Sequence, residues 1–426
     1  MLRGVGAFFE YFFSILRVFS IFIVALFLPR FFLWYMQQPH FVQVTSSGQS
    51  FKLGLENIPE SLLKTISVHD STGISVGLIT NQTGKDQAGR PNVDVLASKG
   101  ISIKNIFTTH SLRMVNKKDG VIPVYPLEIL TASPQSSEKL INEIDAFIFD
   151  IQDSGIRHHG YLTMLLQTMK IAGNFNKTFI VLDRPNLLGN AMEGALINEK
   201  SSEGEALPIP VRHGMTIGEL AHYFNRYILD NAVKLCVVPM ENYSRTSDRS
   251  RLLCRLSSNI NTIDSCYGYS FLGLLGEVSP FDIGVDTDKA FQCILLPETL
   301  HFPKEKWVCL KKMLKDQGIE SKDYRYFSKR KKFECKGLQL FIKDINSFSS
   351  FNTLLTVLKF FKDSGLELQF SKHFDVVLGT TKVRSLIEGV ISHQELASVV
   401  NKELQSFYKK AFDCFIYKPL PKVIQV

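Results

Sequence analysis

The stretch Asp145-Ala-Phe-Ile-Phe-Asp-Ile151, continued by Gln152-Asp-Ser-Gly-Ile-Arg157, decides how the rest of the chain is read. Ala146 to Phe149 are apolar in unbroken succession, with no polar alternation. Such a run marks a strand buried on both faces, as parallel strands covered by helices are. It closes on the carboxylate Asp150, with Asp153 and Arg157 just beyond. A buried strand that ends in charge is either a plain turn or one wall of a site.

The same pattern recurs on either side. Ser75–Ile79 is strand-like and stops at Asn81. Ile101–Phe107 stops at Thr108-Thr109-His110, and Thr178–Leu182 at Asp183-Arg184-Pro185-Asn186. Lys234–Val238 is a further strand. A short helix closes over Leu140–Glu143, Tyr161–Ala172 is amphipathic, and Met215–Ile228 is predicted helical. Thr216 with Glu219 three residues on reads as a capping box. Strands alternating with helices predict an α/β fold with a mostly parallel sheet. From about residue 290 strand-like pieces (Phe291–Leu296, Leu338–Ile342) stand beside helices (Phe351–Lys362, Thr381–Glu388, His393–Ala411), as in a second, smaller α+β domain. The division expected is a hydrophobic segment at 1–36, a polar linker at 37–52, the sheet domain at 53–289 and the α+β domain at 290–426.

A chain of 426 residues, 45% hydrophobic and 21% charged, has room for two or three cores. The net charge of +8 is mild, and the densest basic run, Lys329-Arg330-Lys331-Lys332, reads as a solvated loop. No nucleic-acid motif accompanies it, so no nucleic-acid partner is expected. The seven cysteines form no Cys-x-x-Cys, and no two histidines stand at metal spacing. They read as mostly buried apolar residues, with no metal site. No Gly-x-Gly-x-x-Gly or phosphate-binding loop follows the first strand, so no nucleotide cofactor is expected.

The N-terminus differs from everything after it. Val5–Met36 carries charge only at Glu10, Arg17 and Arg30. Its uncharged centre, Val18–Pro29, is short against the roughly 20 residues of a full span and suits a signal sequence. Arginines at its borders snorkel and lengthen it. With no convincing cleavage site, an uncleaved signal anchor is the first choice. The body would then be exported, either to the periplasm or to the outer side of an inner membrane, and so belong to the cell envelope.

In open parallel sheets ligands bind beyond the carboxyl ends of the strands. Asn81, His110, Asp150 and Asp183 would therefore meet in one crevice if their strands are neighbours. Taken singly, each also suits a helix cap or turn. Asp150 and Asp153, with Arg157 and His158-His159 nearby, have the composition of a carboxylate pair that tunes its own protonation. Such a pair, one acid and one base or nucleophile, is what glycoside hydrolysis requires. His213, just before the capped helix, points toward the same crevice. Glu193, in a Met-Glu-Gly turn, is open to either role.

Four ordered blocks resemble one family. They are Gly77-Leu-Ile-Thr-Asn-Gln-Thr-Gly84, Phe149-Asp-Ile-Gln-Asp-Ser-Gly-Ile-Arg157, Leu182-Asp-Arg-Pro-Asn186 and His213-Gly-Met-Thr-Ile-Gly-Glu-Leu-Ala221. The family is that of the bacterial exo-β-N-acetylmuramidases. Phe374-Asp-Val-Val-Leu-Gly-Thr380 with Arg384, and Phe415-Ile-Tyr417, extend the likeness over about residues 53 to 420. The resemblance implies a Rossmann-like N-terminal domain, a smaller C-terminal domain and a cleft between them. It also implies removal of terminal N-acetylmuramic acid from peptidoglycan fragments, the muropeptides. By position, Asn81, His110, Asp150, Gln152, Asp153, Arg157, Asp183, Arg184, Asn186 and His213 would line the cleft. Of these Asp150, Asp153 and His110 are the catalytic candidates, and Arg157 or Arg184 would grip the lactyl carboxylate.

Two departures stand out. The family's Glu-His-Gly after the second strand reads Thr109-His110-Ser111 here, and a Thr hydroxyl does not replace a carboxylic acid at neutral pH. The family's Ser-Glu-Gly-Arg-Gly-Thr block corresponds to the region near Glu277, Ser-Pro-Phe-Asp-Ile-Gly-Val-Asp-Thr287, which keeps Gly284 and Thr287. Either Asp150, Asp153 or Glu277 supplies the acid, or the chain is a membrane-anchored relative that binds muropeptides without cutting them.

Overall fold

The computed structural model describes residues 51–66, 74–109, 115–117, 120–132, 134–197, 207–246, 256–285, 287–329 and 331–426. The expected N-terminal signal or anchor, its linker up to residue 50, and His110 lie outside the described residues. Among the described residues no helix is long and apolar enough to cross a membrane.

Six strands form the central sheet: β1 (Ser75–Thr80), β2 (Ser102–Thr108), β3 (Val124–Pro126), β4 (Ala146–Asp150), β5 (Thr178–Leu182) and β6 (Lys234–Val238). Their spatial order is β3-β2-β1-β4-β5-β6, and every neighbouring pair is parallel. The order reverses between β1 and β4, which makes that junction the switch point of a doubly wound sheet. The helices α1 (Glu60–Ile66), α2 (Asn92–Ser98), α3 (Pro134–Asn142), α4 (Tyr161–Asn174) and α5 (Ile217–Tyr227) are interspersed along this part of the chain.

The unbroken apolar runs are strands because both faces are covered. Ala146–Asp150 are all buried. Phe107, Phe147, Phe179 and Phe149 form a row of rings across β2, β4 and β5, with successive centroids 6.1, 6.2 and 6.2 Å apart. Each such ring removed from water contributes about 1.5–3 kcal/mol. The register sets Thr80 level with Thr108 on one side and with Asp150 on the other. The polar residues that follow these strands therefore emerge side by side. The capping box of α5 is present: the Thr216 hydroxyl accepts from the Glu219 amide at 3.3 Å, and Glu219 accepts from the Thr216 amide at 2.9 Å.

Beyond α6 (Ile263–Leu275) lie β7 (Cys293–Pro297), α7 (Lys304–Asp316), β8 (Ile319–Ser328), β9 (Phe333–Ile342), α8 (Ser350–Asp363) and α9 (His393–Ala411). Short helices at Phe374–Leu378 and Lys382–Ile387 precede α9. β7, β9 and β8 form an antiparallel sheet in that order. The basic run belongs to the β8–β9 hairpin. Lys331 is not simply solvated there: its ammonium donates to the Phe281 carbonyl at 2.8 Å and lies 3.4 Å from the buried Asp282. The six described cysteines are free thiols, all buried except Cys309.

Candidate active site

Two strand-end carboxylates are locked into the scaffold. Asp150 accepts from Arg184 Nε at 2.6 Å and Nη2 at 2.9 Å, and from Asn92 Nδ2 at 2.7 Å. The same Asn92 amide donates to the Thr80 hydroxyl, which itself reaches the Asp150 carbonyl. Asp150 is fully buried and Arg184 4% exposed, so this bidentate pair sits out of water. Asp183 caps α5: it accepts from Gly218 N at 2.8 Å and the Thr216 hydroxyl at 2.8 Å. It also accepts from Arg184 N at 2.9 Å and the Tyr417 hydroxyl at 2.7 Å. Burial comes first among the influences on Asp183 and pushes its carboxyl up to about 6.

Asp153 is different. Its Oδ2 accepts from Gly155 N at 2.6 Å and faces His213 Nε2 at 3.3 Å. His213 Nδ1 accepts from Met215 N at 3.2 Å, which puts the imidazole proton on Nε2, aimed at Asp153. The other oxygen, Oδ1, lies 3.7 Å from His159 Nδ1. That is longer than a hydrogen bond, and neither atom has a hydrogen-bond partner among the described residues. Burial alone raises the Asp153 carboxyl, but His159 and His213 outweigh it and hold the group well below the usual carboxylate range. Asp153 is thus an ionised carboxylate with one open oxygen.

Around that oxygen the polar surface is incomplete. Both ring nitrogens of His158 and the Asn81 amide nitrogen are buried without a hydrogen-bond partner among the described residues. Burial, then the charges of Arg157 and His159, push His158 down to about 3. The His159 ring stands edge-on to Tyr161 at 4.3 Å and to Tyr269 at 6.0 Å. Buried polar groups are normally satisfied, so this cluster calls for water or a ligand as its partner.

The remaining candidates are distributed as follows. Asn81 Oδ1 closes a turn by accepting from Thr83 N at 2.8 Å and Oγ1 at 2.6 Å. Gln152 Nε2 donates to the Pro185 carbonyl at 2.7 Å, and Asn186 Nδ2 to the Met215 carbonyl at 2.8 Å, so both tie loops of the floor together. Arg157 directs its guanidinium at four carbonyls of its own chain: Ala195 (2.7 Å), Ile209 (2.6 Å), Val377 (3.1 Å) and Leu378 (2.7 Å). Glu193 pairs with Arg212 at 2.7 Å and receives the first amides of α8, Ser350 at 3.0 Å and Phe351 at 3.2 Å. Glu277 accepts from the Ser371 hydroxyl. Asn81, Asp150, Asp153 and Asp183 therefore do gather at one end of the sheet. Asp150 and Asp153 have no partner in common: one is joined to Arg184 and Asn92, the other to Gly155 and two histidines.

Sequence reasoning missed Asn92 and Tyr269, and named Tyr417 only as part of a block resembling the family, with no role. Asn92 and Tyr417 partner strand-end carboxylates from far along the chain, and no local spacing betrays those contacts. His158-His159 had a signal, adjacent imidazoles directly after a carboxylate-rich strand end, but only contact with Tyr161 and Tyr269 gives it meaning.

Fold and site together define a doubly wound α/β protein whose switch point carries a carboxylate held between two histidines. Two family models, described as the N-terminal and C-terminal parts of exo-β-N-acetylmuramidase NamZ, match residues 76–264 and 267–417. Peptidoglycan β-N-acetylmuramidase NamZ of Bacillus subtilis (strain 168) is 32% identical over 369 residues, spanning 81% of this chain and 87% of the relative. The chain belongs to the NamZ family. Crystal structures of two DUF1343 family proteins from Bacteroides fragilis NCTC 9343 share the fold. One superposes with a TM-score of 0.73 at 26% identity, covering 86% of this chain and 99% of its own. The other has a TM-score of 0.68 at 23% identity, covering 87% and 99%.

Proposed function

We propose that this chain is a peptidoglycan glycosidase that removes terminal N-acetylmuramic acid from muropeptides. Membership of the NamZ family supports the class of substrate. The observation that carries the reaction is Asp153, a buried, ionised carboxylate with one oxygen unpartnered among the described residues, beside other open polar groups at the sheet's switch point. In this reading Asp150, Arg184 and Asp183 hold the floor rigid, and His213 fixes the orientation of Asp153. Preorganisation of this kind is what gives an electrostatic site its force. The apolar N-terminal segment supports an envelope location, which fractionation of cells expressing the full chain would test.

The full chain, purified, is expected to release N-acetylmuramic acid from N-acetylmuramyl-β-1,4-N-acetylglucosamine. Asp153→Asn is expected to lower kcat by about 10²–10⁴-fold. Tight muropeptide binding without release of sugar would instead select the inactive, binding-only relative.

A further inference from the structure

We propose that His159 is the proton-transferring residue of this site, with Asp153 as its orienting partner. The inference rests on the glycosidase reading and assigns its missing acid. The second strand ends at Thr108-Thr109, with no carboxylate there to protonate the departing oxygen. Among the described residues, Asp150, Asp183 and Glu193 have both oxygens engaged by the chain's own donors, and Glu277 is tied to Ser371 beside the short strand pairing of Val278 with Phe370 rather than to Asp153 or the histidines. Asp153 is ionised and has no proton to give.

His159 has what these groups lack. Its side chain is 13% exposed, so one edge reaches the solvent side while the other faces a buried carboxylate. Gly155 N and His213 Nε2 occupy Oδ2 of Asp153, which leaves Oδ1 for His159 Nδ1 at 3.7 Å. Catalytic hydrogen bonds are often long before substrate is bound and tighten in the complex. A carboxylate behind Nδ1 keeps a proton there, presents Nε2 outward and stabilises the imidazolium. The other groups facing His159 do not compete for the proton. Tyr161 and Tyr269 present rings, both with hydroxyls pushed up by burial, and burial keeps His158 neutral.

In the step so assigned, the Nε2–H bond of the imidazolium breaks and its proton forms an O–H bond on the leaving sugar. The C1–O electron pair departs with that oxygen. Water supplies a hydroxyl to C1, and the proton released from the water restores the imidazolium. One water is consumed for each glycosidic bond cut.

The test compares the natural disaccharide, N-acetylmuramyl-β-1,4-N-acetylglucosamine, with 2,4-dinitrophenyl β-N-acetylmuraminide, whose leaving group needs no proton. His159→Gln is expected to lower kcat on the disaccharide about 10²–10⁴-fold with little change in KM. On the dinitrophenyl substrate the same variant should stay within about tenfold of wild type, which also shows that it is folded. His159→Asn should behave alike. Equal losses on both substrates, or wild-type turnover of the disaccharide by His159→Gln, would overturn the assignment while leaving the glycosidase reading standing. A wild-type chain that cuts neither compound would sink that reading and this one together.

Discussion

Replacing Arg184 by Met strands Asp150 as an unpaired anion beneath the sheet end. Breaking a buried pair in this way costs roughly 3–5 kcal/mol, so a large drop in the urea midpoint is expected. Asp153→Asn should shift that midpoint much less, because Gly155 N still finds an acceptor there. The contrast separates a carboxylate that holds the sheet end from one that faces two histidines, three positions away. At this scale the sequence was legible only in part. It marked Asp150, Asp153 and Asp183 at strand ends and put Asp150 with Asp153 among the catalytic candidates, where the structure ties Asp150 to Arg184 and Asn92. The same residue types cap helices, pair with arginines and do chemistry, and only long-range partners such as Asn92, Tyr417 and His213 decide which.

Elements were easier to read where burial is two-sided. β4 and β5 are continuous apolar runs, and the capping box of α5 is local chemistry, so all three fall where the residues place them. β8 is the reverse case. Ile-Glu-Ser-Lys-Asp-Tyr-Arg-Tyr-Phe-Ser is polar and mostly open to solvent, and pairing with β9 rather than its own pattern makes it a strand. The tie between elements was also invisible in the sequence: Arg157 reaches the end of the helix Phe374–Leu378 from a loop some two hundred residues earlier. Arg157→Gln would leave most of its four carbonyls without a donor. At 1–3 kcal/mol for each buried group left open, a loss of about 3 kcal/mol or more is expected. Limited proteolysis should then cut first near residues 374–378.

For the whole molecule the histidine cluster sets a pH response. Burial holds His158 neutral down to about 3 in the folded chain, whereas the unfolded chain takes up that proton near pH 6.5. Unfolding therefore binds a proton, and stability falls as pH drops from 6.5 toward 3. Asp153 adds to this lower down: its contribution is present above its ordinary value of 3.8 and is lost as pH falls below it. Burial holds His222 down to about 4 as well, so urea unfolding between pH 7 and pH 4 is expected to show a stability loss that His158→Phe reduces and that His158→Phe with His222→Phe reduces further.

Helix α6 runs from Ile263 to Leu275, so the seam between the two matched family segments, 264 and 267, falls inside its first turn. Cys266 Sγ lies 3.6 Å from the Ser154 carbonyl, the Tyr269 hydroxyl donates to the His158 carbonyl at 3.4 Å, and a methyl at Gly273 would come within 3.1 Å of His158 Nε2. The C-terminal segment thus supplies the ceiling over histidines that the N-terminal segment carries. Exchanging either segment for a relative's would set a new ceiling against these histidines, so a chimera joined at that seam would need Tyr269 and Gly273 brought along with His158 and His159.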